Sequence, residues 1–485
     1  MNRRAPFLLA ALWAGCSPTP PVVSEPTPAP EEVPPVRDCA TAPVQVFELD
    51  RWGGLTAYPR EATGFFRVEE IEGRWWFVSP DGGPLLVQGV NSMGPGSGVD
   101  QQTGTDAYAQ TVQANYADTA AWADATVARL GEWGFNGGAA WMHSSLRGLT
   151  TDAPVLYLGG TSWLDGDIAD VFDPEWALAV EERAASGVEG RVDDPSILGW
   201  FLDNEMRWGK DWRGTEDLLE LTWALPAQGA GRAELMELLR ARHADDFTDL
   251  ATTWGFSPGQ DGPADWDEWE ALPELPQGGQ EDREAWTFHY ARRYFEVTTG
   301  AVRAVDPNHL LLGVRWIGQM TPRAVVEAAA GLIDVASVNP YTLVDGLEEI
   351  LQEQTPSFVR SGEALRAVHD ASGGLPVLIS EFGFRARDSG LPNTLPPIQL
   401  TLDTQTERAA AFTEYAHRYL REPWMVGLQW FKWTDQPAGG RFDGENSNWG
   451  LVDSEDVPWS ELTDATATQG VAWAYSCWAD TLQAQ

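Results

Sequence analysis

Short apolar runs alternate with longer segments of helical pattern along most of the chain. After residue 83 the eight runs are Leu85–Val90, Gly137–Trp141, Val155–Leu158, Ile197–Leu202, Leu310–Arg315, Val335–Val338, Val377–Ile379 and Gly427–Trp430. Buried parallel strands read as near-continuous apolar runs, and strands that alternate with helices form parallel sheets. The pattern therefore predicts an α/β fold in which eight strand–helix units close into a (β/α)8 TIM barrel. An open doubly wound sheet is the alternative, but no Gly-rich phosphate loop follows the first strand.

Helix signals stand between these runs. Asp173 and Pro174 precede "EWALAVEERAASG" as an N-cap and a proline at the first helical position, and Thr404 with Glu407 forms a capping box. The interval from residue 214 to residue 280 is too long for a simple loop and contains "RAELMELLRARHADDFTDLATTWG". We therefore expect a helical insertion after strand four.

The segment before the first run has a different pattern. Turn signals at Glu72-Gly73 and at Pro80-Asp81-Gly82 separate stretches rich in aromatic and β-branched residues. They predict a short N-terminal β-hairpin segment at residues 39–83, followed by the barrel domain at residues 84–485.

The first residues have the composition of an export signal. Arg3 and Arg4 precede an apolar stretch, and Ala14-Gly15-Cys16 resembles the lipobox of bacterial lipoproteins, in which the cysteine is lipidated. Residues 17–38 are Pro-rich and predict an extended linker. We expect residues 1–16 to be a signal peptide of lipoprotein type. The protein would then be an outer-membrane or cell-surface lipoprotein, or a periplasmic or extracellular protein.

Charge and cysteine content narrow the class of partner. The chain has 72 acidic and 32 basic residues and a formal net charge of -40, which argues against a nucleic-acid partner because phosphate binding needs a basic face. A membrane would be contacted only through a lipid on Cys16. Cys39 and Cys477 remain for a disulfide in an exported protein, or as two separate thiols. We expect no cofactor, and no metal because the cysteine and histidine spacing does not match a metal site.

Polar and aromatic residues follow the predicted strands at the point where each ends. Parallel barrels carry their chemistry at the carboxyl ends of the strands. The residues at these ends are Asn91, Trp141, His143, Asn204, Glu205, Arg315, Asn339, Tyr341, Glu381, Trp430 and Lys432. Hydrolysis of a glycosidic bond needs two carboxyl groups, while aromatic rings stack on sugars and amides bind hydroxyls. The set therefore favours a carbohydrate site. Structural alternatives remain for three residues: a salt bridge for Glu381, a pairing with Glu381 or Glu205 for Arg315, and a structural role for His143.

The motifs around these residues resemble a known family. They are "WWFVSPDGGPLLVQGVNS", "DVFDPEW", "ILGWFLDNEMRWG", "VASVNPY", "PVLISEFGFRARDSG" and "GLQWFKWTDQPAGGRFDGENSNWGLVD". Together they resemble the retaining (β/α)8-barrel glycoside hydrolases whose catalytic glutamates end strands four and seven. The chain is most similar to the β-agarase type, with the β-galactosidase type nearby.

The resemblance implies a role for several residues. Glu205 matches the general acid/base, Glu381 the nucleophile, and Asn204 the amide that holds the hydroxyl next to the attacked carbon. Tyr341 matches the tyrosine that bonds the nucleophile, and Trp430 the aromatic residue under the sugar.

The chain departs from these relatives at two positions. Gln429 and Gly383 stand where agarase-type relatives commonly have histidine.

The long polar segment after strand eight is the remaining candidate for substrate binding. It contains Asp435, Arg441, Asp443, Glu445 and Asn446, and the resemblance favours a substrate-binding wall over a solvated loop. Further candidates for sugar platforms are three tryptophans: Trp141, Trp316 and Trp433.

The sequence thus predicts a secreted or surface-anchored retaining glycoside hydrolase. It would cleave β-glycosidic bonds in an agarose-like, galactose-containing polysaccharide or oligosaccharide by double displacement. One alternative is a β-galactosidase-like enzyme or another β-glycosidase. Others are a non-catalytic carbohydrate-binding protein on the same barrel and an acidic structural lipoprotein.

Overall fold

The largest sheet of the computed structural model has six parallel strands. The structure describes residue 39 and residues 45–343 and 364–483, all within one folded unit. The predicted signal peptide, the linker and Cys16 lie outside the described residues. The described strands are β1 Arg67–Ile71, β2 Arg74–Val78, β3 Pro84–Leu85, β4 Val87–Val90, β5 Gly137–Gly138, β6 Trp316–Ile317, β7 Ala336–Asn339, β8 Val377–Phe382, β9 Arg385–Ala386, β10 Thr401–Leu402 and β11 Met425–Trp430.

The order of the six-stranded sheet is β5-β4-β11-β8-β7-β6, and each neighbouring pair is parallel. This arrangement confirms the predicted α/β class with a parallel sheet. Five of the eight predicted runs contribute strands to the sheet, and the fifth run ends directly before a sixth strand, β6.

Three extended segments continue the hydrogen bonding beyond the edge strand β5. These segments are residues 152–158, 197–202 and 310–314. Parallel bridges join Asp152 to Ile197 and Trp200 to Leu311. At the two ends of the series, Gly138 N donates to Thr151 O at 3.0 Å and Val335 N donates to Leu311 O at 3.2 Å. The three segments correspond to predicted strands three, four and five.

Helices separate the strands as predicted. The described α-helices are α1 Ala107–Asn115, α2 Thr119–Glu132, α3 Pro174–Val188, α4 Leu218–Trp223, α5 Ala230–Arg242, α6 Phe247–Trp254, α7 Trp266–Glu270, α8 Gln280–Val305, α9 Arg323–Ala329, α10 Ala364–Ala371, α11 Gln405–Leu420, α12 Ser460–Gln469 and α13 Val471–Trp478. The 3₁₀ helices span Ser144–Leu146, Gly318–Met320, Arg387–Ser389 and Ala479–Gln483. Helices α4 to α7 form the insertion expected after strand four.

The predicted caps are present. The Asp173 side chain accepts a hydrogen bond from Glu175 N, and Pro174 occupies the first position of α3. Thr404 and Glu407 make both hydrogen bonds of a capping box at the start of α11. The sequence could specify these two helix starts because a cap depends on residues three or fewer positions apart.

The sheet separates two hydrophobic clusters. Val377 and Ile379 of β8 belong to the larger cluster, which includes apolar side chains of α2, α3, α8 and α11. Leu378, between them in sequence, belongs to a smaller cluster with Leu198, Leu312 and others. Successive side chains of a strand point to opposite faces, so the two clusters lie on the two faces of the sheet. The helices cover one face, and the smaller cluster fills the other.

The N-terminal segment packs on the smaller cluster. Strands β1 and β2 pair antiparallel with Arg67 opposite Val78, and the turn between them falls at the predicted Glu72 and Gly73. Phe77 of β2 and Phe66 both belong to the smaller cluster. The hairpin therefore closes that cluster with aromatic side chains.

A disulfide joins Cys39 to Cys477 of α13, with the two Cα atoms 5.3 Å apart. The two cysteines are 438 positions apart in sequence. The bond ties the start of the described chain to its last α-helix. Within the described residues, no helix combines the length and the apolar character that a membrane span requires.

Candidate active site

Side chains from four neighbouring strand ends meet at one edge of the sheet. Glu381 lies in β8, and Asn339 ends β7. Glu205 and Arg315 follow the extended segments 197–202 and 310–314. Because the strands run parallel, their carboxyl ends share one edge, and the hydrogen bonds below connect all four residues.

Glu381 is held through both carboxylate oxygens. Arg315 Nη2 donates to Oε2 at 2.5 Å, and the Tyr341 hydroxyl donates to Oε1 at 2.6 Å. The side chain of Glu381 is only 9% exposed, and that of Arg315 is fully buried. The carboxylate is therefore fixed in one orientation at the end of β8.

Arg315 connects Glu381 to its neighbours. Its Nε donates to Asn204 Oδ1 at 2.7 Å, and its Nη1 donates to Ser380 O at 2.9 Å. Its backbone N donates to Ser337 Oγ at 2.9 Å. A guanidinium that is fully buried with each of its three nitrogens bonded to protein is not available to a substrate. The structure shows the expected pairing of Arg315 with Glu381, and the predicted substrate contact of Arg315 is corrected to one of positioning Glu381 and Asn204.

Glu205 has a different environment. Asn339 Nδ2 donates to Glu205 Oε1 at 2.9 Å, and Ser380 Oγ fixes the Asn339 amide by donating to its Oδ1 at 2.8 Å. Burial, followed by the negative charge of Glu381, raises the pKa of Glu205 from 4.5 to about 7. The hydrogen bond from Asn339 and the charges of Arg315 and Arg213 oppose this rise. At neutral pH a substantial fraction of Glu205 therefore carries a proton.

Asp203, the residue before Asn204, is buried and connects three elements next to the site. Asp203 Oδ2 accepts hydrogen bonds from the Tyr294 hydroxyl at 2.5 Å and from Gly159 N at 2.7 Å. These bonds join segment 197–202 to helix α8 and to the end of segment 152–158. Burial raises the pKa of Asp203 to about 6.

Several non-glycine residues at and near the site have a left-handed backbone conformation. Ser92, Trp141, Tyr157, Glu205 and Arg315 have φ angles between 50° and 61°. Each lies within three residues of the end of one of the first five predicted strands. Non-glycine residues rarely adopt this conformation, and where they do the strain tends to occur at functional sites. This feature marks the edge independently of any family resemblance.

Trp141 and Tyr157 form an accessible aromatic pair beside the site. Trp141 Nε1 donates to the Tyr157 hydroxyl at 2.5 Å, and the side chains are 36% and 42% exposed. The Arg315 guanidinium carbon lies 4.8 Å from the centre of the Trp141 ring. Tyr157 was not singled out from the sequence, although its position near the end of predicted strand three was a sufficient signal.

Trp430 does not occupy the predicted position under a sugar. Its side chain is 1% exposed, and its ring packs against Phe382 and against Phe412 of α11. It therefore faces the helices. Phe431 is the aromatic residue on the site side, with its ring centre 6.5 Å from that of Tyr341. The predicted role of Trp430 is wrong by one residue, and one residue along a strand changes the face.

Two other tryptophans that were predicted as sugar platforms are also buried. Trp316 is 1% exposed and Trp433 is fully buried, and Trp433 stacks on Trp133 of the neighbouring α2 region. Trp449, whose ring centre lies 5.5 Å from that of Tyr341, is 1% exposed as well and packs behind the tyrosine.

Asn91 is a structural residue. It is fully buried, and its Nδ2 donates to Ser380 O at 3.0 Å and to the carbonyl oxygens of Gln429 and Trp430 at 3.3 Å. It ties the end of β4 to β8 and β11, so its predicted contact with substrate is corrected.

His143 lies in the structure at the start of a 3₁₀ helix. Its Nδ1 is 2.9 Å from Ser145 Oγ and accepts a hydrogen bond from Ser145 N at 3.2 Å. These contacts serve the local fold, and the predicted substrate contact of His143 stays a prediction.

Some residues of the polar segment after β11 hold it in place, and others carry charges near Glu381. Asp435 is buried and accepts hydrogen bonds from Asn448 Nδ2 at 2.9 Å and from Gly450 N at 2.7 Å. Asn446 Oδ1 accepts from Thr394 N at 2.9 Å. These contacts hold the segment in place. Asp435 is corrected to a structural residue because it is buried, whereas the predicted substrate contact of the half-buried Asn446 stays a prediction.

Three charged side chains in and just before this segment interact with Glu381 or with one another: Arg441, Glu445 and Lys432. Arg441 Nη2 pairs with Glu445 Oε2 at 2.9 Å, and the charges of both residues interact with that of Glu381. Lys432 is buried close to them, and burial together with the Arg441 charge lowers its pKa to about 8. A substrate contact of Lys432 remains a prediction.

The structure gives a reason for one of the two departures from agarase-type relatives. A Cβ atom at Gly383 would lie 2.7 Å from Phe431 O and 3.1 Å from the Trp449 ring, so a histidine does not fit there. Gln429 is fully buried, and neither polar atom of its amide has a hydrogen-bond partner among the described residues.

Comparison with known proteins identifies relatives in sequence. The chain is 29% identical over 395 residues to β-agarase A of Vibrio sp. (strain JT0107), which covers 76% of this chain and 37% of the relative. It is 25% identical over 498 residues to β-agarase B of the same strain, covering 85% of this chain and 49% of the relative. The chain thus spans less than half the length of these curated relatives. No protein-family model matches it.

Solved structures show the same fold. A crystal structure of an agarase has a TM-score of 0.73 at 24% identity, covering 92% of this chain and 69% of that one. An exo-β-agarase has a TM-score of 0.71 at 24% identity, covering 90% of this chain and 68% of that one. The resemblance to the β-agarase type of glycoside hydrolase, which the sequence motifs indicate, is thereby confirmed.

Proposed function

We propose that the protein is a retaining glycoside hydrolase that cleaves β-glycosidic bonds of an agarose-like galactan by double displacement. The observation that carries the proposal is the contrast between two glutamates at one edge of the sheet. Glu381 is held by Arg315 and Tyr341, whereas burial and the charge of Glu381 raise the pKa of Glu205 to about 7. Carboxyl groups whose environments differ in this way suit the roles of nucleophile and acid.

The first step forms a covalent sugar–enzyme ester. The Glu381 carboxylate attacks the anomeric carbon, the bond to the leaving oxygen breaks, and Glu205 gives that oxygen its proton. Asn204 Oδ1 accepts from Arg315, and its Nδ2 would donate to the hydroxyl next to the attacked carbon. Tyr341 and Arg315 keep the nucleophile aligned.

The second step uses Glu205 as a base. The ester removes the negative charge of Glu381, which is the second-largest cause of the raised pKa of Glu205. The pKa of Glu205 therefore falls, and its carboxylate takes a proton from a water molecule that attacks the anomeric carbon. The bond to Glu381 breaks and the sugar leaves with its original configuration.

We propose that the sheet closes into the predicted (β/α)8 barrel. Support comes from the hydrogen bonds that run from β5 through segments 152–158, 197–202 and 310–314 to β7. The smaller hydrophobic cluster would be the barrel interior. Residues 39–83 would form the N-terminal segment and residues 84–485 the catalytic domain.

We also propose that the protein is exported by residues 1–16, with Cys16 as lipid anchor and residues 17–38 as the linker. The sequence pattern of these residues carries this proposal. The substrate would then be an extracellular polysaccharide.

The activity is tested by incubation with agarose, porphyran and simple β-galactosides. We expect agarose to be cleaved, with new reducing ends, and the first product measured by NMR to retain the β-anomeric configuration. Cleavage of simple β-galactosides alone would favour a β-galactosidase. Binding of glycan without turnover would favour a carbohydrate-binding protein, and inversion would contradict double displacement.

The pH profile tests the role of Glu205. Because the acid must be protonated, kcat/KM should fall as pH rises through about 7, by about tenfold per pH unit above that value. Asn339→Ala removes a hydrogen bond that favours the charged form of Glu205, so this fall should move to higher pH. The measurement is kcat/KM between about pH 5 and 9. A fall near the ordinary glutamate pKa of 4.5 in the wild type would contradict the assignment.

A further inference from the structure

Two exposed aromatic side chains stand on tight turns that each carry an arginine linked to residues of the site. Trp212 is 50% exposed and Phe442 is 68% exposed. Large aromatic side chains usually bury most of their surface, so two that remain open near a catalytic pair require an explanation. Neither was singled out from the sequence.

The turn that carries Trp212 is fixed to Glu205. Asp211 and Gly214 close the turn with a hydrogen bond from Asp211 N to Gly214 O at 3.0 Å. Arg213 Nη1 donates to Glu205 O at 2.9 Å and to Trp163 O at 2.7 Å. The guanidinium carbon of Arg213 lies 4.4 Å from the centre of the Trp212 ring. The indole is therefore supported on one side by a cation that is bonded to the backbone of Glu205.

The turn that carries Phe442 also contains an arginine, Arg441, which lies beside Phe431, the neighbour of Tyr341 in the site. Gly444 N donates to Arg441 O at 2.8 Å, and Phe442 is the second residue of the turn. The Arg441 guanidinium carbon lies 5.3 Å from the Phe442 ring centre and 5.6 Å from the Phe431 ring centre. Arg441 is fixed by Asp443 and Glu445, and its charge interacts with that of Glu381.

Each arrangement suits a sugar ring. A ring held against a guanidinium is pre-oriented, so binding to its open surface orders little further. The apolar faces of galactose units stack on such surfaces, and solvent exposure leaves the surface accessible to a long chain. The acid Glu205 lies on the leaving-group side of the cleaved bond, and the nucleophile Glu381 lies under the sugar that is attacked.

We propose that Trp212 binds a sugar unit on the leaving-group side and Phe442 one on the opposite side. The protein would then bind a galactan chain that extends across the cleaved bond in both directions. This inference rests on the proposed function, and it adds the extended length of the substrate to it.

The test compares chain lengths with the variants Trp212→Ala and Phe442→Ala. The substrates are agarose and the shortest agaro-oligosaccharide that the wild type cleaves. We expect kcat/KM on agarose to fall about 10-fold for Trp212→Ala and about 5-fold for Phe442→Ala, with smaller losses on the short substrate. The double variant should lose about 50-fold on agarose, because effects at separate sites add in free energy.

Two controls separate this role from general damage. Phe288→Ala removes a 41% exposed aromatic side chain from helix α8 and should leave kcat/KM unchanged. Trp212→Phe should recover most of the loss on agarose. The fall of kcat/KM near pH 7 should persist in Trp212→Ala, which shows that Glu205 is undisturbed.

If the variants lose kcat/KM equally on long and short substrates, or lose none on agarose, the inference is overturned. Turnover of agarose by the wild type would leave the proposed function standing in both cases. Absence of galactan turnover by the wild type would overturn both.

Discussion

Replacing Glu381 with glutamine should lower kcat on agarose by about 10⁴-fold or more, because an amide cannot attack the anomeric carbon. Glutamine has nearly the same shape, and Tyr341 can still donate to its oxygen. The loss should therefore appear in kcat, with KM changed much less. Steady-state kinetics on agarose and on the shortest cleaved oligosaccharide measure both quantities.

A control must separate the chemical loss from the loss of an ion pair. Arg315 would lose its charged partner, and breaking a buried pair costs about 3–5 kcal/mol of stability. Asp282→Asn provides the comparison, because the fully buried Asp282 of α8 pairs with Arg242 and His243 in the helical insertion. We expect both variants to melt at lower temperature and only Glu381→Gln to lose turnover. Retained turnover in Glu381→Gln would show that another group is the nucleophile.

Replacing Glu205 with glutamine should lower kcat/KM on agarose by about 10²- to 10⁴-fold, the usual contribution of a positioned acid. The loss should depend on the leaving group. An aryl glycoside of an agaro-oligosaccharide whose phenol is acidic needs little proton transfer, so its bond to the anomeric carbon should still break at a rate close to that of the wild type. The fall of kcat/KM near pH 7 should also disappear with the titrating carboxyl group.

Kinetics with a series of aryl leaving groups of increasing phenol pKa measure this dependence. Equal losses across the series would mean that Glu205 does not protonate the leaving oxygen. A persistent fall near pH 7 in Glu205→Gln would assign that titration to another group.

Much of the site could be located from the chain alone. The two glutamates, Asn204, Asn339 and Tyr341 were each found by listing the residues at strand ends. This works because parallel strands place their carboxyl ends at one edge, so sequence position along a strand becomes spatial position. The helix caps at Asp173 and Thr404 were found for a similar reason, since their partners are close in sequence.

The aromatic residues were harder to assign. The sequence predicts Trp430 as the aromatic residue under the sugar, yet its ring packs on α11, whereas Phe431 lies near Tyr341. The register of β11 shifts against β8 between Met425 and Gly427 and between Leu428 and Trp430. Such shifts make it impossible to count inward and outward positions from the sequence, because one extra residue reverses the face.

By itself, the sequence determined the order of strands and helices, the class of the fold and the residue types at the strand ends. These follow from apolar periodicity and from local hydrogen bonding, which involve neighbours in the chain. Only the tertiary structure decided which of those residues interact. Arg315 reaches Glu381 across 66 positions, and Asn339 reaches Glu205 across 134. Whether such a contact becomes a hydrogen bond depends on distances of a few tenths of an ångström, which the packing of the whole sheet against its helices sets.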